Sequence, residues 1–325
     1  MIKHNLFFLL LLISIIILFS MPGCREKEKP EPKKVEPEKI EPEEAVREKP
    51  LGLPAGDIVF VSQIKRRCQI HKMRSDGSNL QNLSQNRFND ENPRWSPDGR
   101  WIAFDSNRDG NQNIYIMKSD GSGQRRITSD GAIDMQPCWT PDGNKLVFES
   151  NRSGRGDLYI IDLSKGKPKV LFHKNKAGRN GGADVSPDGM KVVYMSSRFI
   201  GWDLYLGDIE GDAGIPVATE GGNCKPAWSP DGSQIAWVYH SRFSPVTDIW
   251  LMKADGSEPR NLTDNNPYWD FYPTWSPDGK WLVFASGEGR FTSDWEIYAL
   301  EISTGKLKRL TANRFLDWQP DWSPY

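Results

Sequence analysis

Histidine and cysteine are scarce in this chain, at four residues each in 325. The histidines do not cluster, and Cys24, Cys68, Cys138 and Cys224 show no Cys-x-x-Cys spacing, so a zinc-type centre has no ligand set. Apart from Cys24, three cysteines remain, an odd number that leaves at least one free thiol and indicates no disulfide framework. Charge of one sign is lacking too: the formal net charge is −1, which removes the electrostatic drive toward nucleic acid. No Gly-x-Ser-x-Gly elbow occurs, and His71, His173 and His240 have no partners at ligand spacing. The apolar run from Leu6 to Met21 falls short of the roughly 20 residues a spanning helix needs.

What the chain has in quantity is turn formers and tryptophan: 29 Gly, 23 Pro and 13 Trp point to a turn-rich β protein packed around aromatic rings. They fall into a repeat. Ser96-Pro97-Asp98-Gly99 returns as Thr140-Pro141-Asp142-Gly143, Ser186-Pro187-Asp188-Gly189, Ser229-Pro230-Asp231-Gly232 and Ser276-Pro277-Asp278-Gly279, then breaks off as Ser323-Pro324-Tyr325. The interval, roughly 43–47 residues, suits one four-stranded propeller blade.

Within each repeat a short strand such as Pro93-Arg94-Trp95-Ser96 precedes the turn, where proline presets φ and glycine supplies φ > 0. An apolar strand such as Trp101–Ser106 follows, then Ile114–Met117, a Ser119-Asp120-Gly121 turn and a fourth strand at Gln124–Thr128. The first strand of the domain, Asp57–Ser62, matches the second strand of a blade, while Gln319–Pro324 matches a first strand. The phase predicts an all-β, six-bladed β-propeller closed by the C-terminal strand pairing into the N-terminal blade, which hides both sheet edges.

The Pro-x-Trp-Ser-Pro-Asp-Gly core and the Ile-Tyr third strand resemble the WD40-like repeat of the TolB C-terminal propeller, over about residues 57–324. The fourth blade departs, with Ala183 and Val185 where Pro and Trp stand elsewhere. The resemblance implies a role akin to TolB's, in contact with a peptidoglycan-associated lipoprotein and envelope machinery. TolB's α/β domain has no counterpart in the charged segment ahead of the blades. Related blades occur in tricorn and prolyl-oligopeptidase-type peptidases, so fold alone does not fix function.

Ahead of the blades, Lys3 and His4, the apolar run and Pro22-Gly23-Cys24 read as an export signal over residues 1–23. Gly23-Cys24 resembles the end of a lipoprotein lipobox, which makes Cys24 the expected lipidation site; plain secretion and an uncleaved anchor are the alternatives. Residues 24–54 form a Glu/Lys/Pro linker with too little apolar surface for a core, and residues 55–325 the propeller. The expected location is the periplasm or cell surface, tethered to a membrane, with the outer membrane favoured.

Meander topology puts the Pro-Asp-Gly and Ser-Asp-Gly turns on one face and the irregular loops on the other, where binding is expected. Three residues before each inner-strand proline stands an acid or its amide: Asp90, Asp134, Asn180 (by alignment), Asn223, Asp270 and Asp317. Either each caps its own loop, or together they form an acidic ring at the channel mouth, suited to a basic peptide or to Ca²⁺. Glu91, Tyr272, Trp318 and Gln319 complete the expected partner-binding set. Phe199, Trp202, Phe243 and Tyr268 are further aromatic candidates, and Arg108, Arg152, Arg198 and Arg242 read as loop braces. No catalytic constellation emerges. The expectation is a non-catalytic, monomeric propeller that binds an envelope protein or peptide and requires no cofactor. The alternative is a carbohydrate-active or other hydrolytic or lyase propeller using two of the channel acids.

Overall fold

A computed structural model describes residues 52–325 apart from 173–177, 198–200, 211–213, 242–243, 265–266 and 290–293. The leader, Cys24 and all but the end of the linker lie outside the described residues, as do His173, Arg198, Phe199, Arg242 and Phe243.

Six four-stranded antiparallel sheets make up the domain. The first blade holds β1 (Asp57–Ile64), β2 (Arg67–Arg74) and β3 (Gln81–Asn82); the second holds β4 (Asp90–Trp95), β5 (Trp101–Ser106), β6 (Asn113–Lys118) and β7 (Arg125–Arg126). The third comprises β8 (Asp134–Trp139), β9 (Lys145–Ser150), β10 (Asp157–Asp162) and β11 (Lys169–Val170). The fourth comprises β12 (Asn180–Val185), β13 (Lys191–Ser196), β14 (Asp203–Asp208) and β15 (Ile215–Ala218). The fifth comprises β16 (Asn223–Trp228), β17 (Gln234–Tyr239), β18 (Asp248–Lys253) and β19 (Arg260–Asn261). The sixth comprises β20 (Trp269–Trp275), β21 (Trp281–Gly287), β22 (Glu296–Glu301) and β23 (Leu307–Arg309). Finally β24 (Leu316–Trp322) pairs with β1 and completes the first blade, the closure that the phase of the repeat predicts.

The turn tetrapeptide is rigid for identifiable reasons. Ser96 Oγ bonds Asp98 Oδ1 at 2.6 Å and accepts the Trp101 amide at 2.9 Å, while Gly99, at φ 65°, donates to Ser96 O at 2.9 Å. The truncated last copy is used differently: Ser323 Oγ accepts the Asp57 amide at 2.8 Å and so fastens the chain end to β1. Tryptophans tie neighbouring blades. Trp139 Nε1 donates to Arg94 O and Trp275 Nε1 to Ala227 O, each at 3.0 Å. The second strands fill the space between sheets with wholly buried Phe104, Phe148, Tyr194 and Phe284. Cys68 and Cys138 are buried and Cys224 half-buried, and none of the three forms a disulfide.

One feature recurs in all six inner strands. The register slips by a residue between Glu91 and Arg94, Met135 and Cys138, Gly181 and Asp184, Cys224 and Ala227, and Phe271 and Thr274, and opposite Val59–Val61 in β24. Each is a β-bulge. In five blades the repeat proline falls in it, where no ladder bond is asked of the missing N–H, and in the fourth Ala183 takes its place. The residue before the proline is left-handed in every blade: Asn92 at φ 53°, Gln136 54°, Gly182 54°, Lys225 51°, Tyr272 60° and Gln319 53°.

Candidate functional site at the channel mouth

The six acid and amide positions are interior. Asp90, Asp134, Asn180, Asp270 and Asp317 are 0% exposed and Asn223 2%. Four are held within their own blade or the loop leading to it, and Asn180 and Asp270 are held by the preceding blade. Arg108 Nη2 donates to Asp90 Oδ1 at 3.0 Å and Asn86 Nδ2 to Asp90 Oδ2 at 2.6 Å. Arg152 Nη2 reaches Asp134 at 2.9 and 3.0 Å. Asn180 Nδ2 donates to Asp157 at 2.8 Å, Trp237 Nε1 to Asn223 Oδ1 at 3.0 Å, and Asn313 Nδ2 to Asp317 Oδ2 at 2.6 Å. At Asp270 the amide donates to Thr247 O at 3.1 Å and the carbonyl accepts from Thr247 Oγ1 at 3.0 Å.

This buried set braces loops and strands from within, one of the two roles its spacing allows. Its arginine partners, which also lie over the rings of Tyr115 and Tyr159, do the bracing expected of them. Among the described residues, no group of three or more His, Cys, Asp or Glu is placed to hold a metal ion.

The mouth is lined instead two residues further on. Along a regular strand, positions i and i+2 share a face. The left-handed residue breaks that alternation, so the six bulge residues line the channel while the acids stay inside the sheets. Asn92, Gln136, Gly182, Lys225, Tyr272 and Gln319, with the neighbouring Pro93, Pro137, Ala183, Pro226, Pro273 and Pro320, enclose a well of about 70 Å³. Of the expected partner-binding residues, Tyr272 and Gln319 belong to this ring. Gln319 Oε1 accepts the Asn92 amide at 2.7 Å, linking the first and second blades. Glu91 and Trp318 lie one residue before ring members and are half-buried. Asn92, Gln136 and Lys225 are legible only as the polar residue ahead of each repeat proline, a signal without meaning until the bulge is known.

The electrostatics of the mouth are lopsided. On the second and third blades stand Glu91, Asp105 and Glu149, with Asp105 1% and Glu149 8% exposed. Burial, reinforced by the charge of Glu91, pushes Asp105 up to about 7, even though it accepts bonds from Asn92 Nδ2 at 2.8 Å and the Gln136 amide at 3.0 Å. Burial likewise raises Glu91 and Glu149, the latter against the pull of Arg179 3.6 Å away. Lys225 is the cation of the ring. Its Nζ donates to Gln136 Oε1 at 3.1 Å and lies 5.1 Å from the centre of the Tyr272 ring; burial lowers its pKa, against the attraction of Glu149, Asp105 and Glu91.

Across the mouth the wall is aromatic. His240 stacks on Trp269 at 5.7 Å, Trp269 on Phe271 at 6.3 Å with the planes 5° apart, and Phe271 contacts Tyr272 at 5.9 Å.

The turn-side end of the channel holds a larger cavity, about 270 Å³, walled by Arg94, Asp184, Thr274 and Asp321 and rimmed by Pro230, Pro277, Pro324, Trp228, Trp275 and Trp322. Its charged groups form one network. Arg94 pairs with Asp184 and lies 3.7 Å from Asp321, while the two carboxylates accept the Trp228 amide at 2.8 Å and the Trp95 amide at 2.7 Å. That network ties the inner strands of four blades together. One guanidinium against two carboxylates leaves this end of the channel with an excess of negative charge.

Comparison with known proteins agrees with this architecture. The family described as the TolB beta propeller domain matches residues 58–200 and 182–325. The crystal structure of TolB from Acinetobacter baumannii superposes with a TM-score of 0.73 over 83% of this chain and 67% of that one, at 22% identity. The Tol-Pal system protein TolB of Anaeromyxobacter dehalogenans is 50% identical over 48 residues, 15% of this chain and 10% of that protein. An uncharacterized peptidase, YuxL of Bacillus subtilis, is 38% identical over 73 residues, 22% of this chain and 11% of the peptidase. The matches thus span about a tenth of these curated relatives' own length. A repeat matched by its family from residue 58 to the last residue, folded into six blades that close on themselves, makes this chain a member of the TolB β-propeller family.

Proposed function

We propose that this chain is a non-catalytic propeller of the bacterial cell envelope, lipid-anchored through Cys24, that captures a protein or peptide at its loop-side channel mouth. The observation that carries the reading is the ring of six left-handed bulge residues, which turns a side chain from five of the six blades toward a common point, with Gly182 in the fourth. A rigid scaffold that converges polar and aromatic groups on one opening is a recognition device. The family supports an envelope scaffold of the TolB type, with a peptidoglycan-associated lipoprotein as the expected kind of partner. The test is crosslinked capture from envelope extract by the full chain beside a Gln136→Ala/Tyr272→Ala variant. A discrete partner held by the first and lost by the second supports the reading; equal capture by both overturns it.

One observation favours a hydrolytic or lyase reading: Glu91 and Asp105 oppose one another at the mouth, and Asp105 titrates near neutrality, as a general acid requires. Turnover of a glycan or peptide substrate, abolished by Asp105→Asn, would establish it.

A further inference from the structure

The six inner strands carry two cations, Arg94 and Lys225, and the fold treats them differently. Arg94 pairs with Asp184 and lies 3.7 Å from Asp321. Lys225 forms no ion pair with any described carboxylate. Its Nζ donates to Gln136 Oε1 at 3.1 Å and stands over the Tyr272 ring, 5.1 Å from the centre. The residue is half-buried and lines the loop-side well. The fourth blade gives the amine room. Gly182 is the ring member without a side chain, and a Cβ there would come within 2.8 Å of Met195 Cε and 3.4 Å of the same Gln136 Oε1. Met195 Sδ accepts the Lys225 amide at 3.3 Å, which fixes the backbone that carries the amine. Gln136 also ties the amine to an acid, because its own amide donates to Asp105 Oδ1 at 3.0 Å.

We propose that Lys225 is a covalent binding site for a small uncharged aldehyde, held in the loop-side well as a Schiff base. The site goes beyond peptide capture and does not rest on it. The amine nitrogen attacks the carbonyl carbon while the C=O π pair moves to oxygen, giving a carbinolamine. Both amine hydrogens then leave with that oxygen as water, and the nitrogen lone pair closes the C=N bond. No oxidant or reductant is consumed. Attack requires the amine without its extra proton. Burial lowers the pKa of Lys225, against the attraction of Cys224, Glu149, Asp105 and Glu91. Those three carboxyls are themselves raised toward the neutral form by burial, which weakens their hold on an ammonium. Tyr272 on β20, Cys68 beside Glu91 and Arg179 beside Glu149 are the other ionisable groups around the well. Expulsion of water from the carbinolamine is helped by an acid that keeps its proton near neutrality. Asp105, at about 7 and joined to the amine through Gln136, is such a group. The well, about 70 Å³, limits the aldehyde to a chain of roughly two to four carbons.

The probe is propanal with cyanoborohydride, applied to the full chain, quenched early and read by peptide mass mapping as N-propyl-lysine. At pH 7 Lys225 is expected to be labelled about tenfold faster than the exposed Lys65 and Lys167. As pH rises, its rate should level off at a lower pH than theirs. The preference should vanish in the urea-unfolded chain, where Lys225 is an ordinary lysine, and should shrink with branched pivalaldehyde, which the well is too small to admit. Labelling of Lys225 no faster than that of Lys65, or rates that climb in parallel with pH, would overturn the assignment. So would a preference that persists in urea or is undiminished with pivalaldehyde. Acetylation by acetic anhydride that selects Lys225 while propanal does not would overturn the aldehyde assignment as well, leaving only a reactive amine.

Discussion

Glu91 and Asp105 face one another across the β4–β5 ladder, two carboxylates at directly opposed positions on neighbouring strands. Like charges so placed weaken a sheet, and burial raises the cost, which is why Asp105 holds its proton up to a pH of about 7. The folded pKa lies above the ordinary carboxylate value, so the stability linked to this group is fully present below about 4 and is lost as pH rises toward 7. Asp105→Asn should flatten that dependence and make the domain more stable than the parent at pH 8. Urea denaturation at pH 5 and pH 8 measures both, and a variant less stable than the parent at pH 8 would contradict the account.

Asp90 separates bracing from recognition. With Arg108 removed, its carboxylate is left buried without its cation, and Arg108→Ala is expected to cost about 3–5 kcal/mol in chemical denaturation. Partner capture per folded molecule should be unchanged by Asp90→Asn and lost in Gln136→Ala/Tyr272→Ala. Loss of capture in well-folded Asp90→Asn would reinstate the acids as contacts.

At the other end of the channel, Arg94→Met breaks a bridge to Asp184 and Asp321 and leaves two buried carboxylates facing each other's charge. The expected loss is again about 3–5 kcal/mol, with most of it recovered in Arg94→Met/Asp184→Asn/Asp321→Asn. A triple variant as unstable as the single one would show that Arg94 acts through packing rather than charge.

Ring closure depends on the last strand. Deleting residues 316–325 strips β1 of its inner neighbour and exposes an edge to solvent. The truncated chain should lose cooperative thermal unfolding and elute as aggregate in size-exclusion chromatography. A monodisperse, cooperatively melting product would mean that five blades and a fragment suffice.

Much of the architecture was legible because it repeats. Five near-complete copies of one turn motif fix the blade, and the mismatch of phase between Asp57 and Trp322 fixes the closure, since only pairing across the ends gives every sheet its fourth strand. The acid position was legible as a repeat feature, but not the direction in which its side chain turns. Sequence spacing assumes regular alternation, and the bulge at Asn92 and its five counterparts interrupts it.

The amino-acid sequence by itself determined the turns, the blade count and the closure, because proline, glycine and β-branched or aromatic runs act on their own few neighbours and repetition multiplies the signal. Which side chains meet at the channel was decided by tertiary structure alone. Lys225 finds Gln136 from 89 residues away and Arg94 finds Asp184 from 90, distances over which only the closed ring brings one blade's strand to face another's. The lopsided mouth, acidic on one side and aromatic on the other, exists only once six different repeats share an axis.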